Sequence, residues 1–215
     1  MTIVVGAYYK NIRLEIAQCV KPGTSNLLDV GCGAGYLGEY LKTSGLAKYI
    51  VGVELNIDAS NEASKRIDKV LTVDLNKIDL SDLFEGKDKS SFDCIICADV
   101  LEHLISPLEV LLSLVTLLKP GGRVIISLPN VRHWSVLLPL IFKGEWEYLE
   151  AGIMDQTHLR FFTKKSAISL AKNSRLKVIE YHPLIGGYWN FANKFTFGFL
   201  EEFFAVQMVL VCEKV

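Results

Sequence analysis

The chain has 215 residues, of which 22% are charged, and its formal net charge is −1. This length suits one domain with a sizeable core, and the near-zero charge offers no attraction for nucleic acid or acidic lipid. No signal peptide is recognised at the start, and the longest apolar run, Trp134 to Phe142, is too short to cross a bilayer. We therefore expect a single domain over residues 1–215, a cytoplasmic location, no transmembrane segment and no nucleic-acid partner.

Short apolar runs alternate with helical patterns along the chain. The predicted strands are Asn26–Val30, Tyr49–Glu54, Lys69–Val73, Phe92–Cys97, Arg123–Leu128, Leu176–Tyr181 and Ala205–Cys212. The predicted helices are Tyr8–Val20, Gly35–Thr43, Asp58–Ile67, Pro107–Leu118 and Lys164–Asn173, the last with Thr163 as its N-cap. Nearly continuous apolar strands separated by helices predict an α/β fold with a parallel sheet covered on both faces. Ligands of such sheets bind beyond the carboxyl ends of the strands.

One segment, between Pro129 and Phe162, breaks this alternation. It is rich in aromatic residues and shows no strand pattern. Because it follows the fifth predicted strand, we expect residues 130–162, the cap segment, to lie over the ligand face as a substrate cap. Its aromatic residues, Trp134 among them, favour a substrate with apolar surface or stacked sugar rings. They leave open a dimer interface and peripheral contact with a membrane surface.

The five cysteines indicate free thiols. They are Cys19, Cys32, Cys94, Cys97 and Cys212, an odd number scattered through apolar segments, which is typical of a reducing compartment. Cys94 and Cys97 resemble half of a metal or redox motif, but residues three apart on a strand face opposite sides. No Cys or His spacing matches a metal site, so we expect no metal.

The stretch "NLLDVGCGAGYLG" leads from a strand into a glycine-rich loop. Gly33, Gly35 and Gly38 fit the dinucleotide fingerprint, which places a pyrophosphate on a helix N-terminus. However, Asp29 ends the strand, and no Lys or Arg occurs between Asn26 and Leu41. An acidic strand end favours a ligand with a cationic part, such as S-adenosylmethionine, over a ligand with two phosphates.

Two more acidic residues follow strands. Glu54 ends the second strand at about the 20-residue distance from the glycine loop at which a carboxylate accepts ribose hydroxyls. Asp74 follows the third strand, where it either accepts a hydrogen bond from an adenine amino group or forms a turn. Both residues indicate a ligand that contains a nucleoside, but they do not distinguish a dinucleotide from S-adenosylmethionine.

Five segments in order carry a resemblance to a known family. "LLDVGCGAGYLG", "VGVELN", "LTVDL", "FDCIICADVLEHL" and "LLKPGGRVIISLPN" resemble the successive motifs of class I S-adenosylmethionine-dependent methyltransferases. The similarity is greatest to the branch with "VLEHL", which includes ubiquinone-biosynthesis O-methyltransferases and methyltransferases found with polysaccharide assembly. It covers the chain from about Tyr8 to the C-terminus. The resemblance implies a Rossmann-like, seven-stranded, mostly parallel sheet with an antiparallel last strand, and S-adenosylmethionine as cofactor, which leaves as S-adenosylhomocysteine.

The resemblance also implies roles for residues after each strand. The methionine end of the cofactor would lie on Asp29, Gly31, Cys32, Gly33 and Gly35. The ribose and adenine would meet Glu54, Leu55, Asp74 and Leu75. The ammonium and methyl groups would lie near Ala98, Asp99, Val100 and His103. Of the Tyr8–Tyr9 pair, Tyr9 is taken as the residue that closes over the cofactor.

A hydroxyl acceptor loses a proton on methylation, so a general base is expected. In "DQTHLRFFT", His158 is the first candidate, held by Asp155, with Arg160 contacting an anionic group of the substrate. His133 is the second candidate, and Trp134 is a candidate substrate contact. The alternative is that "DQTHLRFFT" is a structural hinge.

The sequence thus favours a methyltransferase acting on a small-molecule acceptor, at a hydroxyl of a sugar, a glycolipid precursor or a related metabolite. A protein or nitrogen methyltransferase with the same cofactor site is the first alternative. A cofactor-binding regulatory module with little activity is an alternative from another class.

Overall fold

The computed structural model describes residues 12–84, 90–187, 189 and 200–215. The Tyr8–Tyr9 pair, and with it the predicted contact of Tyr9, lies outside the described residues. In the described part of the chain, no helix combines the length and the hydropathy needed to cross a membrane.

Seven strands form one sheet in the order β3-β2-β1-β4-β5-β7-β6. The strands are β1 (Thr24–Val30), β2 (Ala47–Glu54), β3 (Lys69–Thr72), β4 (Phe92–Ala98), β5 (Leu118–Pro129), β6 (Leu176–Ile185) and β7 (Ala205–Lys214). β7 lies between β5 and β6 and runs antiparallel to both, whereas the pairs among β1 to β5 are parallel. This topology confirms the expected seven-stranded sheet with an antiparallel last strand.

Helices connect the strands and cover the sheet. They are α1 (Leu14–Ala17), α2 (Tyr36–Thr43), α3 (Ile57–Ala63), α4 (Pro107–Leu117), α5 (Trp134–Lys143), α6 (Lys164–Asn173) and α7 (Glu201–Phe204). In the described part of the chain, 3₁₀ turns cover Leu80–Leu83 and Leu101–His103. Thr163 caps α6 in a capping box with Ser166, as predicted. Helix α5 was not predicted, because Pro139 lies inside it and weakens the helical pattern.

Apolar side chains pack on both faces of the sheet. Cys94 belongs to the core on one face and Cys97 to the core on the other, as expected for residues three apart on a strand. All five cysteines are free thiols, and burial raises the pKa of Cys94 to about 12. These two cysteines therefore serve as small buried side chains, as the sequence indicated.

Gly38 lets helix α2 pack closely on the sheet. A methyl group at this position would lie 2.5 Å from Cγ2 of Ile67 and 3.5 Å from Cγ2 of Ile50, both buried. Ile67 is β-branched and cannot easily move aside. The third glycine of the apparent dinucleotide fingerprint, Gly38, therefore serves helix packing.

Replacing Gly38 with Ala should therefore lower the free energy of unfolding by about 1–3 kcal/mol through overpacking, although alanine is the better helix former. Urea unfolding followed by circular dichroism measures this. Gly186→Ala is the matched control, since a methyl group there would meet no described atom within 4 Å, and it should change stability by less than about 0.5 kcal/mol. Equal stability of the two variants would contradict the packing role of Gly38.

Candidate functional site

The glycine loop turns tightly between β1 and α2. Gly31, Gly33 and Gly35 have φ angles of +75°, +55° and +81°, a region that glycine adopts without strain. A Cβ atom added at Gly31 would lie 2.4 Å from Cγ2 of Val100, and a Cβ atom added at Gly35 would lie 2.9 Å from Cα of Ala63. The loop is therefore held against α3 on one side and the turn after β4 on the other.

Cys32 contributes only its backbone to the surface of this loop. Its amide donates to the carbonyl of Val53 at 3.1 Å, and its side chain is buried in the core beneath the loop. Burial is the main cause that raises the pKa of this thiol well above its ordinary value. A cofactor in the loop would meet the main chain of Cys32, not its sulfur.

Glu54 ties the glycine loop to the end of β2. Its Oε2 accepts a hydrogen bond of 2.9 Å from the amide of Gly33, and its Oε1 accepts one of 2.8 Å from the amide of Asn56. A carboxylate has about four lone-pair positions, so both oxygens keep acceptor capacity for hydroxyl groups. The next apolar side chains, Leu55 and Ile57, are 64% and 67% exposed, which is unusual for such large residues at a strand end.

Asp29 is buried beside Glu54 with an incomplete set of partners. Its side chain is 2% exposed, and among the described residues its Oδ2 has no hydrogen-bond partner. Burial, and then the negative charge of Glu54, raise the pKa of Asp29 to about 7. Among the described residues no cation offsets the charge of an ionised Asp29, so a cationic ligand group would be favourable here.

Asp74 forms a turn, which is the second of the two roles expected for it from the sequence. Its Oδ1 accepts from the amide of Asn76 at 3.0 Å, and its Oδ2 lies 2.9 Å from Nζ of Lys77. The hydrogen bond from Lys77 is the main cause that lowers its pKa. Leu75 is partly buried against the core, so the predicted contacts of both residues with adenine stay predictions.

The turn after β4 carries a polar network. Asp99, the residue after Ala98, has a φ angle of +57°, a conformation that Asp tolerates better than most residues. Its carboxylate accepts hydrogen bonds from Arg13 and from Nε2 of Gln207. Arg13 in turn donates to Oε1 of Gln207 at 2.9 Å and to Oγ of Ser127 at 3.1 Å. Residues from four separate parts of the chain therefore meet beside Ala98.

Arg13 and Gln207 were not predicted as site residues. Arg13 precedes α1, and its partners Asp99 and Gln207 are 86 and 194 residues away along the chain. Gln207 reaches the carboxyl edge of the sheet because β7 runs antiparallel and begins there. Neither residue belongs to a local motif, so sequence reasoning had no signal for them.

The cap segment folds around helix α5. Val136 on α5 packs against Ile153 and Met154, with Phe161 partly buried beside them. The segment is fastened to the turn after β4, because the amides of Leu159 and Arg160 both donate to the carbonyl of Glu102, at 2.8 and 3.0 Å. The cap segment is therefore attached to the carboxyl edge of the sheet at this turn, and its role as a substrate cap stays a prediction.

His158 is oriented by a backbone carbonyl. Its Nδ1 lies 3.0 Å from the carbonyl oxygen of Ile153, which can only accept, so Nδ1 carries a proton and, in the neutral ring, Nε2 presents a lone pair. The hypothesis had Asp155 hold this ring. Instead, Oδ1 of Asp155 accepts from the amide of Thr157 at 2.8 Å and from its hydroxyl at 2.6 Å. The carbonyl of Ile153 orients the ring of His158, and the carboxylate of Asp155 bonds within its own turn.

His158 lies against two residues of the turn after β4. Its ring centroid is 4.8 Å from that of His103. Glu102, only 1% exposed, has no hydrogen-bond partner for Oε2 among the described residues, and burial raises its pKa to about 8. One possible ligand atom from each of Glu102, His103 and His158 lies within 4.8 Å of the others. The expectation of a metal-free site stays a prediction.

The other candidates of the cap segment have protein partners. Nδ1 of His133 accepts from the amide of Ser135 at 3.4 Å and so caps α5. The guanidinium of Arg160 donates to the carbonyl of Ile105. The ring of Trp134 packs 5.6 Å from that of Trp189. Their predicted roles in catalysis and substrate binding stay predictions.

Comparisons with known proteins identify the family of this chain. A family model described as "Methyltransferase domain" matches residues 7–181. The chain is 30% identical to a ubiquinone biosynthesis O-methyltransferase of Burkholderia multivorans over 165 residues, 73% of this chain and 68% of the relative. A protein of the same name from Burkholderia ambifaria is 31% identical over the same shares of both chains.

Solved structures share the fold. A methyltransferase from Thermotoga maritima has a TM-score of 0.63 at 18% identity, covering 95% of this chain and 88% of its own. One from Mesorhizobium loti has a TM-score of 0.65 at 13% identity, covering 94% and 96%. The sheet order, the glycine loop and the family match agree, and the chain belongs to the class I S-adenosylmethionine-dependent methyltransferases.

Proposed function

We propose that this enzyme methylates a hydroxyl group of a small molecule, a sugar, a glycolipid precursor or a related metabolite, with His158 as the general base. The observation that carries the proposal is the orientation of His158, whose Nδ1–H is used by the carbonyl of Ile153 and whose Nε2 is left as an acceptor. The names of the Burkholderia relatives, which are O-methyltransferases, support oxygen as the acceptor atom.

The carboxyl edge of the sheet fits S-adenosylmethionine. The bound cofactor supplies a methyl group already activated on a sulfonium. Asp29 offers the cationic methionine end a buried carboxylate oxygen that no described residue uses. Glu54 retains lone pairs for the ribose hydroxyls, and the exposed Leu55 and Ile57 offer apolar surface beyond it for the adenine ring. The positive φ angles of its glycines let the glycine loop turn tightly at the end of β1, beside Asp29.

Arg13 brings a positive charge to the turn after β4, where it bonds to Asp99. We assign it, with Gln207, the task of fixing the carboxylate of Asp99 at the end of β4. A fixed carboxylate beside Ala98 orients the groups that meet the ammonium of the cofactor, and well-oriented reactants are the main requirement of methyl transfer.

His158 accepts the hydroxyl proton at Nε2. Glu102 next to it has a pKa of about 8, so its carboxyl is mostly protonated at neutral pH and brings no full negative charge to the ring. Burial likewise lowers the pKa of neighbouring His103, which keeps that ring neutral. The cap segment covers this cluster and limits the access of water. The free thiols support a reducing compartment such as the cytoplasm.

Replacing Asp29 with Asn should weaken the binding of S-adenosylmethionine strongly while stabilising the cofactor-free protein above pH 7. The carboxyl has an ordinary pKa of 3.8 and a pKa of about 7 when folded, so the folded state loses stability as the pH rises through this window. Asn carries no charge and escapes this loss. Calorimetry measures the binding of S-adenosylmethionine. Thermal unfolding between pH 4 and pH 8 should show that the variant is more stable than the wild type, by a margin that decreases as the pH falls.

Asp93→Asn is the control for this experiment, because it should have the opposite effect on stability. Asp93 accepts hydrogen bonds from the amides of Ser25 and Asn26 and pairs with Lys119, so its loss should destabilise the protein and leave cofactor binding intact. Unchanged binding in Asp29→Asn would remove Asp29 from the cofactor site.

Replacing His158 with Ala should lower kcat by about 10²–10⁴-fold and leave cofactor binding unchanged, as expected for loss of a general base. The measurement uses labelled S-adenosylmethionine and a panel of methyl glycosides, phenols and amines as acceptors. Turnover of hydroxyl compounds in the wild type is the expected result.

His182→Ala serves as the matched histidine control, since His182 is exposed on β6 and pairs with Glu180 at 3.0 Å. Full activity of the His158 variant would disprove the role of His158 as base. Methylation of amines alone would overturn the proposal of a hydroxyl acceptor.

A further inference from the structure

The cap segment encloses a cavity away from the glycine loop. The cavity has a volume of about 140 Å³ and lies between α5 and the chain that follows it. Val136, Leu149 and Met154 contribute apolar surface to its wall. Ligand sites for whole metabolites measure about 300–1,000 Å³, so this cavity suits a single ring of a larger molecule.

Trp146 forms an aromatic wall of the cavity with a fixed orientation. Its ring packs edge-on against Phe161 at a centroid distance of 5.2 Å, yet the residue remains 40% exposed. The exposed part of the ring can stack on a flat apolar face of a ligand. A partly exposed tryptophan held in this way favours a ligand with one apolar face.

The polar residues of the same wall are Ser135, Glu145 and Glu147. Carboxylate oxygens accept hydrogen bonds, so a ligand with hydroxyl donors suits the two glutamates. Lys143 lies 3.4 Å from Glu145 and offsets part of the negative charge. The polar part of the wall therefore favours neutral hydroxyl donors more than a cation.

The basic residues near the cap segment do not favour an anionic ligand. Arg132 pairs with Glu202 at 2.6 Å, and Lys164 pairs with Glu201 at 3.2 Å. Arg160 is held by the carbonyl of Ile105. A ligand with an apolar face and an edge of hydroxyl donors, and without charge, is a sugar ring.

Ring contacts connect this cavity to the turn after β4. Trp146 contacts Phe161, the centroid of Phe161 lies 6.4 Å from that of His158, and His158 contacts His103. A molecule that places one ring at Trp146 would thus extend along Phe161 toward the proposed base. A chain of ring contacts therefore connects the cavity to the proposed base.

We propose that the cavity lined by Trp146, Glu145 and Glu147 is a subsite for a neutral sugar ring of the acceptor. The inference rests on the proposed function in that the ring belongs to the molecule that is methylated. Trp146 would stack on the C–H face of the ring, and the two carboxylates would accept hydrogen bonds from its hydroxyl groups.

The test is saturation-transfer NMR with methyl α-D-glucopyranoside and methyl α-D-mannopyranoside as probes, on protein loaded with S-adenosylhomocysteine. The wild type should transfer saturation to ring protons of at least one glycoside. Trp146→Ala should weaken that binding by about tenfold, as for loss of a central aromatic contact. Glu147→Gln should weaken it less, and the exposed Glu150→Gln, which does not line the cavity, should leave it unchanged.

Wild-type protein that binds S-adenosylhomocysteine but neither glycoside would overturn the subsite. Undiminished glycoside binding in both Trp146→Ala and Glu147→Gln would also overturn the subsite. Preferential binding of tetramethylammonium or benzyl alcohol in the cavity would overturn its assignment to a neutral sugar ring. If Trp146→Ala does not fold, as seen by lost binding of S-adenosylhomocysteine, Glu147→Gln and Trp146→Phe decide the question.

These outcomes are separate from those of the proposed function. Glycoside binding at Trp146 without methylation of any hydroxyl compound would leave the subsite standing and remove the proposed reaction. If hydroxyl compounds are methylated but the Trp146 and Glu147 variants bind the acceptor as well as the wild type does, the proposed reaction stands and the subsite is disproved.

Discussion

The two hydrogen bonds accepted by Glu54 hold the site together. One fixes Gly33 in the glycine loop, and the other fixes Asn56, whose own side chain caps α3 by accepting from the amide of Ala59 at 2.9 Å. A single buried carboxylate therefore fixes the relative positions of the loop after β1, the end of β2 and the start of α3. The arrangement places a second carboxylate, Asp29, next to a like charge. Burial and this like charge both disfavour an ionised Asp29, so the protein gives up stability at this point.

The strands and the glycine loop were predictable because local patterns determine them. Continuous apolar runs specify buried parallel strands, Thr163 is a strong N-cap, and residues three apart such as Cys94 and Cys97 must alternate between faces. Helix α5 was missed because Pro139 interrupts it. The network of Arg13, Asp99 and Gln207 could not be predicted, since its members are brought together only by the order of the strands.

The segment "DQTHLRFFT" has a structural role that is compatible with the proposed chemical role of His158. Its main chain fastens the cap segment to the carbonyl of Glu102, and Arg160 binds the carbonyl of Ile105. These contacts are of the hinge kind that the sequence offered as an alternative. The same contacts hold His158 beside the turn after β4, so the position of the proposed base depends on how firmly the cap segment is attached.

The antiparallel β7 has a consequence for the synthesis of the protein. In the described part of the chain, β6 lies at the edge of the sheet and pairs only with β7, which separates it from β5. As the chain leaves the ribosome, β6 therefore has no neighbour in the sheet until β7 has been made. Gln207 belongs to β7 and bonds to Arg13, which was made almost two hundred residues earlier. The polar network beside Ala98 therefore cannot assemble before β7 has emerged.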